Sequence, residues 1–106
     1  NYPQAQATCQ AKGAVLASVK TFDKLTIVRN LVGANIAWVG ADDMEKQGSF
    51  TWKLDSSPVT KETLKSVFAL GEPNNSQGLE HCVHYYFKTG MLNDVQCSST
   101  YGYVCE

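Results

Sequence analysis

The sequence predicts a single α+β domain, and three observations carry that reading. Two stretches near the N-terminus repeat their apolar residues at helical spacing. Five short segments rich in β-branched and aromatic residues follow them. Four cysteines run from Cys9 to Cys105 without any Cys-x-x-Cys pair, a pattern that suits disulfides better than a metal knuckle. A chain of 106 residues buries roughly 60 to 70 % of its unfolded surface, so 1–106 is expected to form one domain around one modest core.

The first helix is expected over 2–12, with Pro3 in its first turn, several Ala and Gln residues, and Gly13 as its stop. Residues 14–19 read as extended. Thr21 can cap a second helix in which Phe22, Leu25, Val28, Leu31 and Val32 form one apolar face ending at Gly33. Strands are expected over 36–40, 49–53, 81–87, 91–95 and 101–105, each short and bounded by Gly or polar clusters. Helices followed by strands make an α+β arrangement. Residues 54–80 show little regular pattern, and so long an irregular stretch in a small domain usually serves function.

Composition excludes several roles. A net charge of −1 with mixed signs gives no basic footprint for nucleic acid or an anionic membrane. No apolar run approaches the roughly 20 residues of a membrane helix, and the N-terminus has no signal-peptide pattern; a mature, soluble chain is expected. Two disulfides place it in an oxidising compartment, with secretion to the extracellular space as the expectation. Four cysteines allow three pairings, and the residues alone do not choose among them.

The chemistry concentrates between Glu72 and Cys82. Glu72 and Asn74 flank Pro73, Asn75 comes next, Gly78 allows a turn, and Glu80 closes the stretch. Asn93-Asp94 adds a second pair of oxygen donors. Asn, Asp, Gly and Pro also simply make turns, but carboxylates and side-chain carbonyls in this density are what a hard cation such as Ca2+ takes, roughly six to eight oxygens in all. His81, Cys82 and His84 form a string that could bind zinc, although strand alternation separates His81 from the other two and Cys82 is expected to be oxidised. Neither a nucleophile motif nor a phosphate loop accompanies the acids, so an enzyme is not expected. Asn74-Asn75-Ser76 is also a glycosylation sequon, which a role for Asn74 as a metal ligand would make a coincidence.

Gly71-Glu72-Pro73-Asn74-Asn75, Glu80-His81-Cys82-Val83, Gly90-Met91-Leu92-Asn93-Asp94 and the stretch from Cys97 to Cys105-Glu106 resemble the carbohydrate-recognition domain of C-type lectins. So do Cys9, the stretch from Lys12 to Val19, Ala37-Trp38-Val39-Gly40 and Phe50-Thr51-Trp52, so that the resemblance covers almost the whole chain. It implies a fold of two helices with small antiparallel sheets and a long irregular calcium-binding loop region. It also implies the pairings Cys9 with Cys105 and Cys82 with Cys97. The latter would close a loop of about 15 residues, worth about 3 kcal/mol on the chain-entropy view.

By the same resemblance Glu72, Asn74, Glu80, Asn93 and Asp94 bind both Ca2+ and the carbohydrate, and the Glu-Pro-Asn order implies sugars with equatorial 3- and 4-hydroxyls: mannose, fucose, glucose or N-acetylglucosamine. That suits recognition of cell-surface or microbial glycans in innate immunity, by a homo-oligomer. The alternatives are a galactose-binding lectin, or a lectin-like domain in which Tyr85, Tyr86, Phe87, Tyr101 and Tyr103 meet protein, ice or mineral. An auxiliary calcium site would fall on Asp43, Gln47, Asn75, Glu80 and His81, where neutral or basic groups replace acids, so it is expected to be weak or empty. The peptide before Pro73 is expected to be cis. Protonation of His81 and His84 is expected to weaken sugar binding between about pH 7 and 5. Leu92 stands where the family has Trp, which suggests looser packing. The family usually begins with a strand about ten residues before the first helix, whereas this sequence opens almost at the helix: either that strand belongs to a segment outside this sequence, or the last strand has an open edge at which two copies could associate.

Overall fold

The computed structural model describes residues 1–73 and 78–106. Helix α1 (Tyr2–Ala11) begins with a reciprocal cap: the Asn1 side chain accepts from the Gln4 N–H at 3.0 Å, and Gln4 Oε1 accepts from the Asn1 amino group at 3.0 Å. Both satisfy groups that a helix start leaves unpaired. Gly13 then turns the chain at φ 72°, a left-handed geometry that suits glycine. Helix α2 (Phe22–Val32) is capped by Thr21, whose hydroxyl accepts from the Lys24 N–H at 3.2 Å. Its buried stripe is narrower than the apolar repeat predicts: Leu25 and Val28 are buried, whereas Phe22 and Leu31 are 53 % and 71 % exposed.

Strands β1 (Ile36–Asp42), β2 (Thr51–Trp52), β3 (Cys82–Tyr86) and β4 (Met91–Val95) form an antiparallel sheet in the order β2-β1-β3-β4. Strand β5 (Gly102–Tyr103) pairs with β1 in parallel, so the sheet is not purely antiparallel. Residues 14–19 are extended as expected and join 104–106: Glu106 N–H donates to Val15 O at 2.7 Å and Ala17 N–H to Val104 O at 2.8 Å. This segment crosses β1 at Gly40, where an added Cβ would overlap the Leu16 carbonyl. Only glycine permits that approach.

The core has two parts. Leu25, Val28, Val39, Trp52, Val67, Val83, Tyr85 and Leu92 fill one, and Tyr2, Cys9, Leu16, Trp38 and Cys82 the other. The disulfides are Cys9–Cys105 and Cys82–Cys97, the pairing that the resemblance implies. Leu92 is fully buried against the first cluster, so no looseness shows at the position where the family carries Trp.

Residues 54–80 are not irregular throughout. A third helix, α3 (Lys61–Val67), starts at Thr60, whose hydroxyl accepts from the Thr63 N–H at 3.2 Å, and buries Thr63 and Val67. The hydroxyl cap and the apolar Leu64, Val67 and Phe68 at helical spacing were its sequence signal, but seven residues are too few for periodicity to stand out. Helix α3 sets the path of residues 68–72. Phe68 bridges in parallel to Leu92, and the Ala69 N–H donates to Leu92 O at 2.9 Å. The chain thus leaves α3 along the outer edge of β4.

Candidate metal centre

Three elements converge beside that edge. The 68–72 segment brings Glu72, with its N–H donating to Ala69 O at 2.9 Å. Strand β4 brings Asp94, paired with Val83 and fully buried. Glu80 comes from the residues just before β3. One carboxylate oxygen from each of Glu72, Glu80 and Asp94 lies within 4.8 Å of the others. Three carboxylates at that separation repel unless a proton or a cation joins them. Burial, the closeness and charge of Asp94, and the charge of Glu80 push the Glu72 carboxyl up to about 8.

Asn93 also stands on β4, opposite His84. Its Oδ1 is buried and has no hydrogen-bond partner among the described residues. A buried acceptor with no donor costs free energy unless something completes it, and an amide oxygen is an ordinary ligand for a hard cation. The residues present therefore fit Ca2+: three acids, one of them holding a proton for want of a counter-charge, and an amide oxygen awaiting a partner. Asn74, the remaining expected ligand, lies outside the described residues. The Glu72-Pro73 peptide is cis, as expected.

At the expected auxiliary position Asp43 and His81 meet each other and nearby backbone groups. Asp43, next to the end of β1, is 2 % exposed. Its Oδ1 meets His81 Nδ1 at 2.9 Å and its Oδ2 accepts from the Gly48 N–H at 2.8 Å. His81 Nε2 faces the Gly78 carbonyl at 3.1 Å. Gln47 lines the same cleft, of about 560 Å³, with Met44, Leu79, Gln96 and Ser98; Asn75 lies outside the described residues. A larger hollow of about 760 Å³ sits elsewhere, between Leu31, Ile36, Phe87 and Tyr103, and has no acid in its lining.

Cys82 is bonded to Cys97, oxidised as expected, which removes it from any zinc site with His81 and His84. One sequence reading changes here. His84 is buried among Trp38, Tyr86 and Tyr101, with ring centroids 6.3, 5.8 and 5.2 Å away. That burial holds its imidazole down at about 4, outweighing the opposite pull of Asp94, so His84 stays neutral through the interval in which it was expected to sense pH. Of the tyrosines considered for a protein, ice or mineral face, Tyr85 is buried and Tyr103 is 40 % exposed. The sequence reading missed the Asp42 junction: Asp42 accepts from Tyr2 OH at 2.7 Å and lies 3.4 Å from Lys53 Nζ, which fastens α1 to the sheet.

The fold recurs in known proteins. The family model described as "Lectin C-type domain" matches residues 1–106. Collectin-10 of Xenopus tropicalis is 36 % identical over 109 residues, covering 100 % of this chain and 38 % of that protein. Salivary C-type lectin 1 of Aedes albopictus is 39 % identical over 74 residues, covering 65 % of this chain and 46 % of that protein. The chain thus spans less than half the length of these relatives. Among solved structures, the cow C-type carbohydrate-recognition domain of CD23, determined in the presence of a GlcNAc2Man3 oligosaccharide, superposes with a TM-score of 0.84 at 28 % identity, covering 98 % of this chain and 77 % of that one. With its own sheet order, both disulfides and the match over its whole length in agreement, the chain belongs to the C-type lectin domain family.

Proposed function

We propose that this domain binds Ca2+ through Glu72, Asn74, Glu80, Asn93 and Asp94, and through that site holds sugars with vicinal equatorial 3- and 4-hydroxyls, of the mannose, fucose and N-acetylglucosamine type. The observation that carries the reading is the meeting of Glu72, Glu80 and Asp94 within 4.8 Å, an arrangement that asks for a cation. Bound calcium would supply open coordination positions to two neighbouring hydroxyls. The chain's own groups do the rest. Glu72 and Glu80 accept hydrogen bonds from those hydroxyls, while the Asn74 and Asn93 amides donate to them, so each side chain fixes both the ion and the orientation of the ring. The CD23 domain solved in the presence of a mannose-containing oligosaccharide supports a sugar of this class.

The domain acts by binding rather than by catalysis, as is general in the family. Two disulfides and salivary and collectin relatives support a secreted, extracellular protein, and no described helix is long and apolar enough to cross a membrane. One shallow site gains little affinity alone, so a homo-oligomer that presents several sites fits recognition of glycan surfaces; one solved neighbour, the Kupffer cell C-type lectin receptor Clec4f, has a trimeric structure. Retention on immobilised mannose in calcium, with release by EDTA, tests the reading. Passage through the column in calcium would sink it.

A further inference from the structure

We propose that His81 is a positioning residue for the calcium site, a strut that holds the chain leading into Glu80 without an auxiliary cation. The inference rests on the calcium reading above and adds the means by which one of its ligands is held.

The observations are geometric. Asp43 is fixed before it meets His81: it is nearly fully buried, and its second oxygen accepts from the Gly48 N–H. Its first oxygen meets His81 Nδ1 at 2.9 Å, and the opposite ring nitrogen meets the Gly78 carbonyl at 3.1 Å. Each ring nitrogen thus has an oxygen of another residue within hydrogen-bond distance, and the tautomer sets which end donates. The Asp43 N–H donates to His81 O at 3.0 Å, which anchors the backbone of the same residue. A rigid ring with both ends bonded thus joins Gly78, two residues before Glu80, to the end of β1.

This matters because Glu80 comes from an irregular segment, whereas Asp94 stands on a strand. A ligand on an unsupported segment must be ordered when the ion binds, and that cost weakens binding. The strut removes part of it beforehand. A cation at the same place would tie Asp43 to the segment by charge; the imidazole does so by two directed bonds.

The test compares the full chain with His81→Ala and His81→Asp, by backbone NMR relaxation without calcium and by calorimetric titration with it. In His81→Ala the amide order parameters of Leu79 and Glu80 should fall from about 0.85 to below about 0.6, with β1 and β3 unchanged. Calcium affinity should fall about tenfold, the loss expected for two hydrogen bonds. His81→Asp restores an acid beside Asp43, so its segment should be loose without calcium, tighten when calcium is added, and take up a second ion per chain. Asp43→Asn, which leaves the ring in place and weakens one end, should loosen the same residues to a smaller degree.

Unchanged order parameters in His81→Ala overturn the proposal. So does loosening spread evenly over the chain in both His81→Ala and Asp43→Asn, which would make the pair a general support of the fold. A parent chain that binds no calcium defeats the calcium reading, while the relaxation comparison in calcium-free buffer still decides the strut.

Discussion

The Glu72 carboxyl lies beside the buried carboxyl of Asp94, with one oxygen of each within 4.8 Å of the other. Burial, together with the closeness and charge of Asp94 and the charge of Glu80, pushes the Glu72 carboxyl up to about 8, so at neutral pH it holds a proton. In the calcium-free protein the proton does part of what the cation would do.

Calcium and that proton should therefore compete. At pH 7 the uptake of Ca2+ should release close to one proton, and the release should shrink above pH 8. Affinity should weaken as pH falls from 8 toward 5. Calorimetry in two buffers of different ionisation enthalpy measures the proton count; zero release at pH 7 would contradict a proton held on Glu72. The folded-state value lies above the ordinary 4.5, so the associated stability of the calcium-free protein is complete below about pH 4.5 and is lost as pH rises through about 8. Melting temperatures without calcium should fall between about pH 6.5 and 8, above the range in which His84 titrates, and saturating calcium should flatten the curve.

One ion per chain is the expected stoichiometry, with affinity in the range of about 10⁻⁴ to 10⁻³ M of extracellular modules. Asp43 already has both oxygens engaged by His81 and Gly48, which leaves the auxiliary position little to offer a second cation. Two equal sites in a calcium titration, or none, would overturn this.

His84 should govern acid stability rather than sugar binding. Its imidazole is held down at about 4 by burial, below the unfolded value, so its contribution to stability is complete above about pH 6.5 and is lost as pH falls through 4. His84→Phe keeps the aromatic packing and removes the titration. The variant should lose less stability between pH 6.5 and 4 than the parent, by on the order of 1 to 3 kcal/mol, with calcium affinity at pH 7 unchanged. Urea unfolding at a series of pH values measures it; parallel curves for the two proteins would refute the assignment.

Most of the fold was legible in the sequence because its signals are local. Thr21 caps α2, Asn93 and Asp94 lie on a strand of the predicted bounds, and the four cysteines pair as the resemblance implies. What was not legible depends on tertiary contacts. Seven residues of α3 give less than two turns of periodicity, and the helix is held by Thr63, whose hydroxyl donates to Lys20 O at 3.1 Å from far along the chain. The exposure of Phe22 and Leu31 likewise depends on where α2 meets the sheet. At the site, residue types pointed to Glu72, Glu80 and Asp94, but the pairing of Asp43 with His81 needed the fold, since the two are brought together only where β1 ends beside the start of β3.

The proposed specificity for mannose-type sugars rests on the order of acceptor and donor around Pro73, and the double substitution Glu72→Gln with Asn74→Asp tests it most directly. The swap removes one carboxylate and adds one, so the charge offered to Ca2+ is conserved and the ion should still bind. The polarity of hydrogen bonding offered to the two hydroxyls reverses along the segment. A hydroxyl that faces the wrong partner leaves a polar group unpaired, at a cost of roughly 1 to 3 kcal/mol, or about tenfold to a hundredfold in affinity. Mannose should lose that much. Galactose, with its axial 4-hydroxyl, should gain relative to mannose, but only slightly, because Ser76 offers no aromatic ring against which its apolar face could stack. Competition of the two sugars against an immobilised glycan, at saturating calcium and for both proteins, measures the shift. If the double variant binds Ca2+ and keeps its preference for mannose, recognition lies on another part of the surface, and Glu72 and Asn74 do not read the sugar.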